Sequence, residues 1–85
     1  MSPEPGARRS RVIMVEPALT RLTKATASET HRLDRAIVAI SVNPALGTEV
    51  PGTLLRDYTD EIDGVRLVYH VTALQPNTIV AYVET

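Results

Sequence analysis

The sequence has no cysteine, phenylalanine or tryptophan. Without Cys, neither a disulfide nor a thiolate-held metal can staple the chain. Its aromatics are three tyrosines, Tyr58, Tyr69 and Tyr82, so the core must be assembled from Leu, Ile, Val and Ala. Long apolar runs are missing as well. Arg8, Arg9 and Arg11 precede a run, Val12–Val15, of only four apolar residues. A signal-peptide core needs ~7 to 15 such residues and a membrane span ~20, so the expected setting is the cytoplasm, with no membrane partner. Only two histidines are present, His31 and His70. No transition-metal site and no cofactor are expected from that donor set. A Gly-rich phosphate loop and a Ser-His-Asp spacing are also missing.

What remains fits one lean domain of 85 residues. A chain of that size buries only ~60 to 65% of the surface its unfolded form exposes, so its stability margin is thin. The net charge of −1 hides an asymmetry. Residues 1–42 hold seven Arg/Lys against four Asp/Glu, a charge of +3; residues 43–85 hold two against six, a charge of −4. The second half is therefore a weak lure for a polyanion.

Residues 1–10 mix Pro, Gly, Ser and Arg without period and read as a disordered tail, leaving residues 11–85 as the domain. Val12–Val15 reads as a short strand. Pro17 suits a first helical turn, and the spacing of Leu19 and Leu22 predicts a short helix over Pro17 to Ala25. Thr26-Ala27-Ser28-Glu29 has the form of a capping box. Behind it Leu33, Ala36, Ile37 and Ile40 form one apolar stripe, with Arg32, Arg35 and Ser41 away from it. Pro44 ends this helix near Val42. The segment from Asn43 to Gly52 reads as a connector. A period of two then places Val65, Leu67, Tyr69 and Val71 on one strand face, and Ile79, Ala81 and Val83 on another. Asp63-Gly64 predicts a hairpin turn after a less regular strand in Leu54–Ile62, and Gln75-Pro76-Asn77 a second turn. The order is β-α-α-β-β-β, an α+β domain with a helical hairpin packed on a mainly antiparallel four-stranded sheet.

Three stretches carry a family resemblance. An amphipathic helix runs into Asn43-Pro44 followed by Gly47, Leu54 to Tyr58 leads into a strand, and Gly64-Val65-Arg66-Leu67-Val68-Tyr69-His70-Val71 follows the pattern G-x-R-L-V-Y-x-V. With the apolar last strand Ile79–Val83, this order resembles the RelE/ParE superfamily of type II toxin–antitoxin systems, over Arg11 to Val83. The resemblance implies a cognate antitoxin as partner. For the RelE branch it implies ribosome-dependent endoribonuclease action on messenger RNA, and for the ParE branch a gyrase-directed action. It also implies a phosphate-stabilising role for Arg66. The positions that carry lysines in RelE-like second strands read Thr59 and Glu61 here. The sequence ends at Thr85, without the basic residues that the family carries beyond its last strand. A catalytically degenerate relative acting by protein–protein binding is therefore the alternative, and a homodimer stays open.

Arg66 and His70 lie four apart on one strand and so share a face. They are the candidate catalytic pair, with histidine as general base for a 2′-hydroxyl and arginine stabilising the developing phosphorane charge. Arg66 could instead pair with Asp60 or Glu61 across the hairpin. Arg56, Tyr82 and Arg11 are the candidate nucleic-acid contacts, Tyr82 by stacking on a base and the arginines on phosphates. Tyr69, sharing a face with Val65 and Leu67, reads as core.

Overall fold

The computed structural model describes residues 11–72 and 77–85. The tail 1–10, and the Gln75-Pro76 part of the second expected turn, lie outside the described residues. Strand β1 spans Arg11–Met14, helix α1 Ala18–Thr23, helix α2 Ala27–Val42, strand β2 Thr48–Glu49, β3 Arg56–Asp60, β4 Val65–Val71 and β5 Asn77–Glu84. A 3-10 turn, Pro44–Leu46, lies between α2 and β2. The strands form one sheet in the order β1-β5-β4-β3-β2. Only the β1–β5 pair is parallel, while β5–β4, β4–β3 and β3–β2 are antiparallel.

The α+β architecture is the expected one, with one strand more than the expected four. The extra strand, β2, lies inside the expected connector and pairs Thr48 with Asp57 and Glu49 with Arg56. Two paired residues have no period to read, so only the pairing reveals them.

Helix α2 begins where its capping box requires. The Thr26 hydroxyl accepts from the Glu29 N–H at 3.1 Å, and the Glu29 carboxylate accepts from the Thr26 N–H at 2.9 Å. This reciprocal pair satisfies two donors that a helix end otherwise leaves orphaned. It also holds the Glu29 carboxyl below its usual range, with help from the Thr85 hydroxyl. Leu33, Ala36 and Ile40 are buried, and Ile37 packs on that cluster half-buried. Ser41 departs from its expected outward place. It is buried, and its hydroxyl donates to the Val38 carbonyl at 2.8 Å, which satisfies the polar atom.

The shorter helix corrects a second expectation. Leu19 is 42% exposed, while Ala18 is fully buried and Leu22 packs against the core. With the helix starting at Ala18, the inward stripe is Ala18 and Leu22, four apart. Its packing is chiefly with β5.

In β4, Val65, Leu67 and Tyr69 are buried as the period predicted. In β5 the buried residues are Thr78, Val80 and Val83, not Ile79, Ala81 and Val83. The register supplies the reason. Val68 faces Tyr82 and Tyr69 faces Val80, so Ala81 is an extra residue in a β-bulge. A bulge switches which parity faces inward, and no pattern of period two survives it. The turn into β4 is closed by Gly64 at φ +67, a conformation that costs glycine nothing.

Tyr69 is more than packing. Its hydroxyl accepts from the Gly47 N–H at 2.9 Å and donates to the Pro44 carbonyl at 2.8 Å, tying β4 to the turn after α2. A Cβ on Gly47 would sit 2.8 Å from that hydroxyl, so the close approach requires glycine. Among the described residues no helix is long and apolar enough to cross a membrane.

Candidate functional site

Both helices lie on one face of the sheet, and among the described residues no element covers the opposite, open face. Directly paired residues share a face, so the register specifies what the open face carries. From β3 come Asp57 and Thr59, and from β4 Arg66, Val68 and His70. From β5 come Ile79, Tyr82 and Glu84, and from β1 Ile13 and Arg11.

Arg66 sits directly opposite Thr59 and Glu84. One edge of its guanidinium is engaged by Asp57. Nε donates to both oxygens of Asp57, at 3.0 and 3.1 Å, and Nη2 reaches Oδ2 at 2.6 Å. Glu84 lies 3.7 Å from Nη1 on the other side, and the Tyr82 ring centroid is 5.8 Å from the guanidinium carbon. The Arg66 hydrogen bonds hold the Asp57 carboxyl below its usual range, and Asp57 in turn raises Arg66 above its own. Charge-assisted bidentate pairs are the strong class of polar contact. The partner differs from the expected Asp60 or Glu61, and parity explains why. Asp60 faces Val65 on the covered face, and Glu61 belongs to the turn. Asp60 instead accepts from the N–H groups of Ile62 and Asp63, at 3.0 and 3.2 Å.

His70 is on the same face as Arg66, as expected, opposite Ile79. At ~3.3 Å per residue their backbones are ~13 Å apart, with Val68 between them. Joint action on one phosphodiester would therefore depend on the reach of the two side chains, and Arg66 is held by Asp57. Tyr82 is brought to Arg66. Arg11 lies two strands away, on β1, opposite Asn77. Arg56 is not brought to this face at all. It faces Tyr69, and its Nη1 donates to the Gly47 carbonyl at 2.6 Å while Nη2 meets Glu49 at 3.3 Å. Its work is to hold the segment between α2 and β2 against β3, which a basic residue in a strand does not announce in sequence. Asp57 and Glu84 are the site residues that the sequence reading did not single out. The hairpin register could have revealed Asp57, because Gly64 fixes the turn and the period of two then puts Asp57 beside Arg66.

Tyr58 and Tyr69 lie on the covered face, and burial pushes both phenols up. In Tyr69 the Gly47 hydrogen bond works against that shift.

No protein-family model matches the chain, and no curated protein sequence matches it. Solved structures do. A mixed sheet with two helices on one face, the other left uncovered among the described residues, defines the class as an α+β domain. Within that class the fold is that of the RelE toxin. RelE in the intact E. coli RelBE toxin–antitoxin complex superposes with a TM-score of 0.75 at 20% identity, over 89% of this chain and 95% of that one. The isolated E. coli RelE toxin gives 0.75 and 20%, over 89% and 83%. A RelE double mutant bound to a peptide of the RelB antitoxin gives 0.71 and 21%, over 87% and 80%.

Proposed function

We propose that this chain is a RelE-like component of a toxin–antitoxin pair that acts in the cytoplasm by binding protein and not by cleaving message. The reading is carried by one observation. The open face centres on aliphatic and aromatic side chains, Ile13, Val68, Ile79 and Tyr82, beside an arginine already neutralised by Asp57 and Glu84.

Phosphodiester cleavage gathers negative charge in its transition state and needs cations aimed at it and otherwise unoccupied. Loss of one preorganised donor typically costs ~10² to 10³ in rate. Here the residue opposite Arg66 is Thr59, and the nearest charged groups are carboxylates that repel a phosphate backbone. An apolar centre within a charged rim suits a protein partner, and the fold likeness to RelE in its antitoxin complex makes an antitoxin-type protein the natural one.

Purified protein added to translating ribosomes should leave message uncut. Co-expression with a small antitoxin encoded beside it should give a complex that Val68→Asp disrupts without unfolding the chain. Codon-linked cleavage that disappears in Arg66→Ala would overturn the proposal and restore an mRNA endonuclease.

A further inference from the structure

Part of the open face has the chemistry of a nucleic-acid contact, and one carboxylate stands in its way. Tyr82 is 38% exposed, and its ring centroid lies 5.8 Å from the Arg66 guanidinium carbon. An exposed aromatic ring beside a guanidinium suits single-stranded nucleic acid, the ring stacking on a base and the cation meeting a phosphate. Thr59, exposed and directly opposite Arg66, adds a hydroxyl of the kind that donates to phosphate oxygens.

Asp57 takes the edge of Arg66 that a phosphate would take. Nε and Nη2 both donate to its carboxylate, and that edge is the fork that matches two phosphate oxygens as well as two carboxylate oxygens. The register sets the pair up. Asp57 faces Val68 and Arg66 faces Thr59, so the two meet on the diagonal of the β3–β4 ladder, within reach of a long side chain. The second carboxylate is not equivalent. Glu84 is 54% exposed in its side chain and lies 3.7 Å from Nη1, beyond hydrogen-bond distance, whereas Asp57 is 29% exposed. Glu84 flanks the arginine, and Asp57 fills its fork. A phosphate would have to displace Asp57 and then lie against a carboxylate that had lost its partner, so two anions would share one cation.

We infer that Asp57 determines the ligand class of this face: by filling the arginine fork it excludes single-stranded nucleic acid and leaves the surface to a protein partner. The inference rests on the protein-binding reading above, and it is tested without ribosomes or antitoxin. In fluorescence anisotropy at low salt, the full chain should bind a fluorescein-labelled oligoadenylate weakly. Asp57→Asn, with its fold checked by circular dichroism, should bind it at least ~10-fold more tightly, the scale of one charge-assisted hydrogen bond. Two further variants separate a freed fork from a mere change of charge. Asp34→Asn makes the same change in net charge on exposed helix α2, on the covered side of the sheet, and should leave the affinity where it was. Adding Arg66→Ala to Asp57→Asn should abolish the gain. No gain in Asp57→Asn overturns the inference, as does an equal gain in Asp34→Asn or a gain that survives the loss of Arg66. Each of those results would leave the protein-binding reading standing, because that reading falls on a different one: an antitoxin complex indifferent to Val68→Asp.

Discussion

The two faces of the sheet are built from the same strands, alternate residue by alternate residue, yet they differ in kind. On the covered face Val65, Leu67, Tyr69 and Val80 interlock with Leu33, Ala36 and Ile40, and every one of these is buried to 1% exposure or less. On the open face Arg66 remains 45% exposed in its side chain even though Asp57 holds one edge of its guanidinium. The covered face is held by dispersion and by removal of apolar area from water, terms that depend on volume and fit. The open face is held by an ion pair half in solvent, where Coulomb energy is screened and weak. Stability therefore resides on one side of the sheet, and the other side is free to differ.

Substitutions can test that division, and the largest effect should come from the covered side. Leu33→Ala removes a fully buried side chain and should cost ~2 to 5 kcal/mol in urea or thermal unfolding, much of what so small a domain has. A cost near zero would show that α2 does not seal the sheet. Next comes Tyr69→Phe, which leaves the Gly47 N–H and the Pro44 carbonyl without their partner. It should cost ~1 to 3 kcal/mol, with the loss confined to the link between α2 and β4 as read by hydrogen exchange at Gly47.

On the open face Arg66→Ala should cost no more than ~1 kcal/mol. A cost matching that of Leu33→Ala would erase the distinction between the faces.

The smallest effect is a pH dependence. The folded-state values of Asp57 and Glu29 are both depressed. Their stabilisation is therefore complete above the unfolded carboxylate values, near pH ~4, and is lost as pH falls through the lower folded ones. Asp57→Asn should flatten part of that acid limb by lowering stability near neutrality slightly, the two proteins converging at low pH. An unaltered acid limb would mean that the Asp57–Arg66 pair is not formed in solution.

Legibility in the sequence followed the range of the interactions. The start and end of α2 were plain, because the Thr26–Glu29 box and Pro44 act within a turn of themselves. The burial of Val65, Leu67 and Tyr69 was plain too, because β4 runs its period of two without interruption. Leu19 misled because a spacing of three fits a helix in either of two phases, and only packing on β5 chose Ala18 and Leu22. The bulge at Ala81 hid the inward set of β5 for the same reason: it exists only as a mismatch between two strands.

The candidate site divides in the same way. The sequence alone determined that Arg66 and His70 share a face, since alternation along one strand is a covalent property of the chain. It also determined that the neighbourhood is rich in carboxylates and poor in cations. Which carboxylate takes the arginine was decided only by the tertiary structure. That choice rests on the register of β3, β4 and β5, and register is an agreement between segments distant in sequence. The same is true of Arg56, placed on the covered face by the pairing of β3 with β4, and of Ile62, left in water because the turn beneath it is fastened to a helix some thirty residues away.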